Sequence, residues 1–118
     1  MRSATIAAAA VLAAAAVAVA PAVAATPVLR GTVGPGFTIT LTKGGKSVKT
    51  LARGRYKLVV ADKSSIHNFE LEGPGIGELE TDVSETGTSA FTVTLKKVKY
   101  VFYCKPHRTT MRGSFVVR

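Results

Sequence analysis

The 118-residue chain holds one cysteine, two histidines, two methionines and no tryptophan. With Cys104 alone, an internal disulfide is impossible. Acids are nearly as scarce, 7 against 16 lysines and arginines, and all of them fall between positions 62 and 85. Beyond Pro27 no segment sustains the 3.6-residue apolar period of an amphipathic helix, which excludes helical bundles and α/β folds. Internal repeats, a linker and a nucleic-acid-binding motif are likewise missing. What remains is one small, basic, β-rich domain behind an unusual N-terminus.

That N-terminus opens Met1-Arg2-Ser3 and then runs without charge from Ala4 to Pro27, mostly as alanine and valine. One basic residue, an apolar stretch and the small triplet Ala22-Val23-Ala24 make a secretory signal peptide over residues 1–24. About 20 apolar residues would also suffice for a retained membrane anchor. Alanine is a weak membrane residue, however, and Pro21 beside a cleavable triplet favours removal, so no stable span is expected afterwards. The absence of a nearby cysteine rules out a lipoprotein anchor. The expected product is a periplasmic or extracellular, monomeric domain of residues 25–118. Being exported and only 94 residues long, it has little core and no disulfide, and a bound metal is one way to supply the missing stability.

The domain reads as all-β. Phe37, Ile39 and Leu41 alternate with Thr38, Thr40 and Thr42, the period of a half-buried strand. Lys43-Gly44-Gly45-Lys46 marks a hairpin turn, with Val48–Leu51 as its return strand. Tyr56–Val60, Asn68–Leu71, Phe91–Leu95, Val98–Tyr103 and Ser114–Val117 complete about seven short strands, a count that suggests a β-sandwich. Along Val98–Tyr103 the same alternation turns Tyr100, Phe102 and Cys104 inward, and Val101 and Tyr103 outward.

The scarce residues are not scattered. Cys104, His107 and Met111 lie within eight residues, in the spacing Cys-x₂-His-x₃-Met, directly after an aromatic strand. The other histidine, His67, stands upstream in His67-Asn68-Phe69. A lone cysteine is usually an inert small hydrophobe, and a lone histidine or late methionine is usually structural. One thiolate, two imidazoles and one thioether together, with no spare copy besides Met1, make the ligand set of a type 1 copper site. There His67, Cys104 and His107 would form the trigonal plane and Met111 the weak axial contact. Structural zinc prefers more thiolates or a carboxylate to a thioether. A Cys104–His107 nucleophile and base would leave His67 and Met111 unexplained, so an enzyme is not expected.

Tyr100, Phe102, Tyr103, Cys104, Pro106 and His107 match Tyr-x-Phe-Tyr-Cys-x-Pro-His, and this stretch resembles the ligand loop of plastocyanin-type cupredoxins. His67-Asn68 is similar to that family's first-ligand pair. The three-residue gap before Met111 is that of azurins, where plastocyanins commonly have four. The resemblance implies a Greek-key, cupredoxin-like sandwich of seven to eight strands binding one copper. It also implies that Asn68 ties the first-ligand strand to the backbone beside Cys104. Lys105 replaces the hydroxyl residue frequent after the cysteine. By the same resemblance, the His107 edge and a surface-exposed Tyr103 are expected as electron port and partner surface.

Lys105, Arg108 and Arg112 flank the proposed ligands, and the domain without Arg2 carries 15 basic against 7 acidic residues, net +8. Such a collar is either a solvated surface or a steering device for an acidic redox partner. The reading that follows is an exported one-electron carrier cycling Cu(I) and Cu(II). The same ligands would equally serve a copper carrier of metal homeostasis. A metal-free sandwich binding polyanions through its basic surface is the third alternative.

Overall fold

The computed structural model describes residues 2–20 and 25–118. Residues 2–20 are exposed and form no helix or strand, and the triplet Ala22-Val23-Ala24 lies outside the described residues. No helix among the described residues is long and apolar enough to cross a membrane.

Two five-stranded sheets make the domain. The first contains β1 (Val28–Val33), β2 (Ile39–Lys43), β3 (Lys46–Ser47), β5 (Gly54–Asp62) and β8 (Gly87–Leu95), in the order β3-β2-β1-β5-β8. The second contains β4 (Thr50–Leu51), β6 (Glu70–Glu72), β7 (Leu79–Glu80), β9 (Lys99–Tyr103) and β10 (Arg112–Val117), in the order β4-β10-β9-β6-β7. Each sheet is antiparallel except for one parallel pair, β1 with β5 and β4 with β10. Three of these strands are only two residues long, so the expected count of seven to eight is met by the longer ones.

Period-two alternation builds the core. Leu29 and Val33 of β1 and Tyr56, Leu58 and Val60 of β5 face Leu71, Tyr100, Phe102, Phe115 and Val117 of the opposite sheet. Two ring stacks line the inner face of the second sheet, Phe69 on Phe102 and Tyr100 on its cross-strand partner Phe115. The Tyr100 hydroxyl accepts the Lys96 N–H and donates to the Pro74 carbonyl, so a large polar group is buried without loss of partners.

The hairpin at Gly44-Gly45 forms as expected. Both glycines have positive φ, 57° and 79°, which a two-residue turn between twisted strands requires. Its return strand differs from expectation. Lys46–Ser47 pairs with β2 only briefly; the chain then crosses to the other sheet through buried Val48, and Thr50–Leu51 pairs with β10. Phe37 also departs from its expected place on the inner face of a strand. The strand starts at Ile39, and Phe37 stands in the preceding loop at 63% exposure. Strand β1 carries no clean alternation in sequence, because Arg30-Gly31 interrupts it. Gly31 is small for a reason: a Cβ there would press into the Phe69 ring.

Candidate metal centre

The loop after β9 is closed on itself. The Cys104 N–H donates to the Met111 carbonyl at 2.9 Å across its base, and the Met111 N–H donates to the His107 carbonyl at 2.8 Å inside it. Between them Lys105–His107 form a 3-10 turn with Pro106 in its first half, and the His107 N–H returns to the Cys104 carbonyl at 3.1 Å. Proline suits this position because the first turn of a helix needs no N–H donor there. The loop therefore fixes Cys104, His107 and Met111 relative to one another through the backbone alone.

His67 reaches the same point from the segment between β5 and β6. Its Nδ1 lies 3.0 Å from the His107 Nδ1, and each of these nitrogens is 3.7 Å from the Cys104 Sγ. A point equidistant from the three atoms is about 2.0 Å from each, in the range of about 2.0–2.3 Å typical of metal bonds to imidazole nitrogen and thiolate. Three electron-rich atoms converging this closely repel one another unless a cation or proton lies between them. Among the described residues this is the one group of three or more such side chains that could hold a metal ion. The donor set fits copper, since thiolate and imidazole suit both of its oxidation states.

Burial is graded across the site. His67 and Cys104 are fully buried, Met111 retains 1% exposure, and His107 is half-buried. Phe37, misplaced by the strand pattern, proves to cover this end. Its ring meets the His67 and His107 rings edge-on, with centroids 4.8 and 4.9 Å apart. No periodicity argument could have found it; the signal was the Gly34-Pro35-Gly36 break immediately before it.

Asn68 makes contacts to three neighbouring residues around the cluster. Its side-chain oxygen accepts the Lys105 N–H at 2.8 Å, its Nδ2 donates to the Thr81 carbonyl at 3.1 Å, and its own N–H points at the Cys104 sulfur at 3.5 Å. The link uses the backbone of residue 105, so the lysine side chain in place of a hydroxyl does not interrupt it. Thr81, which the sequence did not single out, supplies a hydroxyl that accepts the Phe69 N–H at 2.9 Å.

The Thr81 and Asn68 contacts belong to the fold itself, and so does the rest of the chain's likeness. The sequence model of copper binding proteins, plastocyanin/azurin family, matches residues 39–118. The chain belongs to that family. Its fold is shared with rusticyanin from Thiobacillus ferrooxidans, at 20% identity and TM-score 0.54 over 77% of this chain and 76% of that one. Auracyanin A, a "blue" copper protein from Chloroflexus aurantiacus, is 16% identical with TM-score 0.54 over 80% and 100%. Reduced auracyanin from Roseiflexus castenholzii is 16% identical with TM-score 0.56 over 80% and 99%. A search of curated protein sequences finds no match. The family and the His67-Cys104-His107 cluster together make this a cupredoxin with one type 1 copper site.

Two expectations about the rim change. Tyr103 faces outward, yet only 7% of it is exposed, because the Arg108 guanidinium lies 4.3 Å above its ring. The basic collar is also partly balanced. Arg108 pairs with Glu72 at 3.1 Å and Lys105 with Glu80 at 3.7 Å. Arg112 has no ion pair among the described residues. Glu70, Glu72, Glu78 and Glu80 line one cavity of about 410 Å³ beside Tyr103 and Lys105. Burial pushes the Glu70 carboxyl above its usual range, and the neighbouring Glu80 adds to the effect. Tyr103 is pushed up as well, first by burial and then by Glu70.

Proposed function

We propose that this cupredoxin is an exported one-electron carrier, with residues 1–24 removed as a signal peptide and residues 25–118 acting in the periplasm or outside the cell. His67, Cys104 and His107 serve as equatorial ligands and Met111 as the axial one. Bound copper supplies the one-electron couple Cu(I)/Cu(II). The chain's own part is to hold the ligands still. The observation that carries the reading is the closed loop: the backbone bonds from Cys104 to Met111 and from Met111 to His107 keep the ligand triangle from relaxing when the charge changes. Asn68 adds a second anchor by joining the His67 segment to Lys105.

His107 is the natural port for the electron, because it alone of the three clustered ligands is half-exposed. Phe37, 63% exposed and edge-on to the His107 ring, supplies apolar contact area beside it for a redox partner protein. The net charge of +8 favours an acidic partner at long range. Tyr103, covered by Arg108, contributes to the partner surface through that pair. Neither a substrate cleft nor a catalytic group is required.

Adding copper to the metal-free mature domain tests this directly. One equivalent should bind and give an intense visible thiolate-to-copper band, absent in Cys104→Ser. The metal should then survive repeated reduction and reoxidation beside a competing chelator. A colourless cupric protein defeats the type 1 site. Loss of Cu(I) at each cycle would instead indicate copper delivery.

A further inference from the structure

The end of the sandwich away from the metal centre carries two open grooves with cations and no acid around them. Strands β9 and β10 meet the metal loop at Tyr103 and Arg112, and their other ends, Lys99 and Val117, lie about 17 Å away along the strands. Backbone hydrogen bonds gather this far end. The Val117 N–H donates to the Val98 carbonyl at 3.0 Å, and the Arg118 N–H to the Leu51 carbonyl at 2.9 Å. The Arg53 N–H donates to the Arg118 carbonyl, also at 2.9 Å.

The larger groove, about 570 Å³, sets Val98, Val116 and Val117 against Arg53, Lys97, Lys99 and Arg118. The other, about 280 Å³, begins at the adjoining Leu51 and Ala52 and carries Lys43, Lys46 and Lys49. All seven cations are exposed, and no acidic side chain lines either groove. None of the seven has an ion pair among the described residues. The uncharged stretch Ala4 to Pro27 enters the domain at this same end. The Lys57 N–H donates to the Pro27 carbonyl at 3.0 Å, next to Tyr56, which lines the smaller groove.

We propose that this pole docks on a bilayer bearing anionic phospholipid headgroups. The cations come from several loops of both sheets and converge on no single point, so they match a layer of phosphates better than one small anion. Five of the seven are lysines, whose long stems lie along apolar surface while the ammonium reaches outward. Beneath them Val116, 41% exposed, offers apolar contact to the glycerol and acyl boundary. The apolar N-terminal segment leads the chain to the membrane at the same pole, and the cations hold the domain there without it. Docked this way, the metal end faces water and His107 stays open to a partner. The docking itself does not depend on the copper reading.

The test is co-sedimentation of the full chain with vesicles of phosphatidylcholine alone, or of equal parts phosphatidylcholine and phosphatidylglycerol. Retention on the neutral vesicles reports the apolar segment, and the gain on the anionic ones reports the pole. That gain should shrink as salt rises. Arg53→Gln, Lys97→Gln and Lys99→Gln combined should cut it about a hundredfold, at about fivefold per cation near an anionic surface. Lys63→Gln, Arg108→Gln and Arg112→Gln combined remove the same charge at the metal end and should leave it nearly intact. Retention is read without copper, so a failed copper site would not disturb the result. No gain on anionic vesicles overturns the docking, and equal losses for the two triple variants reduce it to net charge. Release of the protein by polyglutamate at matched charge would assign the pole to an acidic protein and overturn the lipid surface.

Discussion

The Asn68 side-chain oxygen and the Lys105 N–H, 37 positions apart in the chain, meet at 2.8 Å directly behind the ligand cluster. Each lies next to a proposed ligand, Asn68 after His67 and Lys105 after Cys104. One hydrogen bond thus couples the two segments that converge on the metal, and the bond from Nδ2 to Thr81 pulls a third segment into the same frame.

Asn68→Ala should break that frame while leaving every ligand present. The part-buried Lys105 N–H and Thr81 carbonyl would lose their partner, at a cost of about 0.5–1.5 kcal/mol per bond in the stability of the metal-free domain. Copper affinity should drop by roughly 10–100-fold, the usual effect of removing an outer contact of a metal ligand. Urea unfolding and competition against a chelator of known affinity measure the two effects separately. Unchanged affinity would mean that the loop holds its geometry without Asn68.

How far the molecule was legible in its sequence depends on what fixes each part. The nearness of Cys104 and His107 was legible, because the two are local and the backbone between them is closed by its own hydrogen bonds. Strands with clean alternation, such as Phe91–Leu95, were legible for the same local reason. Strand β1 was not, since its inner face includes Gly31, chosen for the nearness of Phe69 rather than for apolarity. The sheet switch at Val48 was hidden because an apolar residue at a crossover looks like one in a strand. Phe37 was misread because it breaks the inside–outside rule of its neighbourhood on account of His67 and His107, residues distant from it in the chain.

Phe37→Ala should open the site without dismantling it. The ring contacts with His67 and His107 contribute about 0.5–1.5 kcal/mol each at most, and an exposed position has little core to lose. The expected result is faster removal of copper by a small chelator, with the visible band nearly unmoved. Stopped-flow chelation of the wild type and the variant checks this. Equal rates would show that the ring does not guard the metal.

Glu70 carries a predictable pH signature. Its folded-state pKa is raised above the ordinary value of 4.5, chiefly by burial and then by Glu80. Below that value both folded and unfolded chains hold the proton. As pH rises the unfolded chain releases it first, so stability falls until the folded carboxyl has ionised too. Glu70→Gln removes that fall. The variant should gain on the wild type as pH rises above the ordinary value of 4.5 in denaturant melts. A constant difference across the range would place the titration elsewhere.

The rim makes the sharpest distinction between paired and unpaired charge. Lys105 and Arg108 face Glu80 and Glu72 across exposed ion pairs, which add little to stability but cancel much of the local field. Arg112 has no such partner among the described residues and begins β10 opposite Tyr103, next to the metal loop. Electron exchange with a small anionic oxidant should slow as salt rises, because screening shortens the reach of the positive field to about 8 Å near physiological ionic strength. Exchange with a cationic oxidant should quicken. Arg112→Gln should flatten both trends, and Arg108→Gln should reverse part of them by exposing the charge of Glu72. Glu72→Gln should steepen them by freeing Arg108. None of the three changes should bleach the visible band, since no proposed ligand is altered. Stopped-flow rates across a salt series provide the comparison. Equal slopes for the two oxidants, or an Arg112→Gln slope identical to that of the wild type, would reduce the rim to a solvated surface with no part in steering.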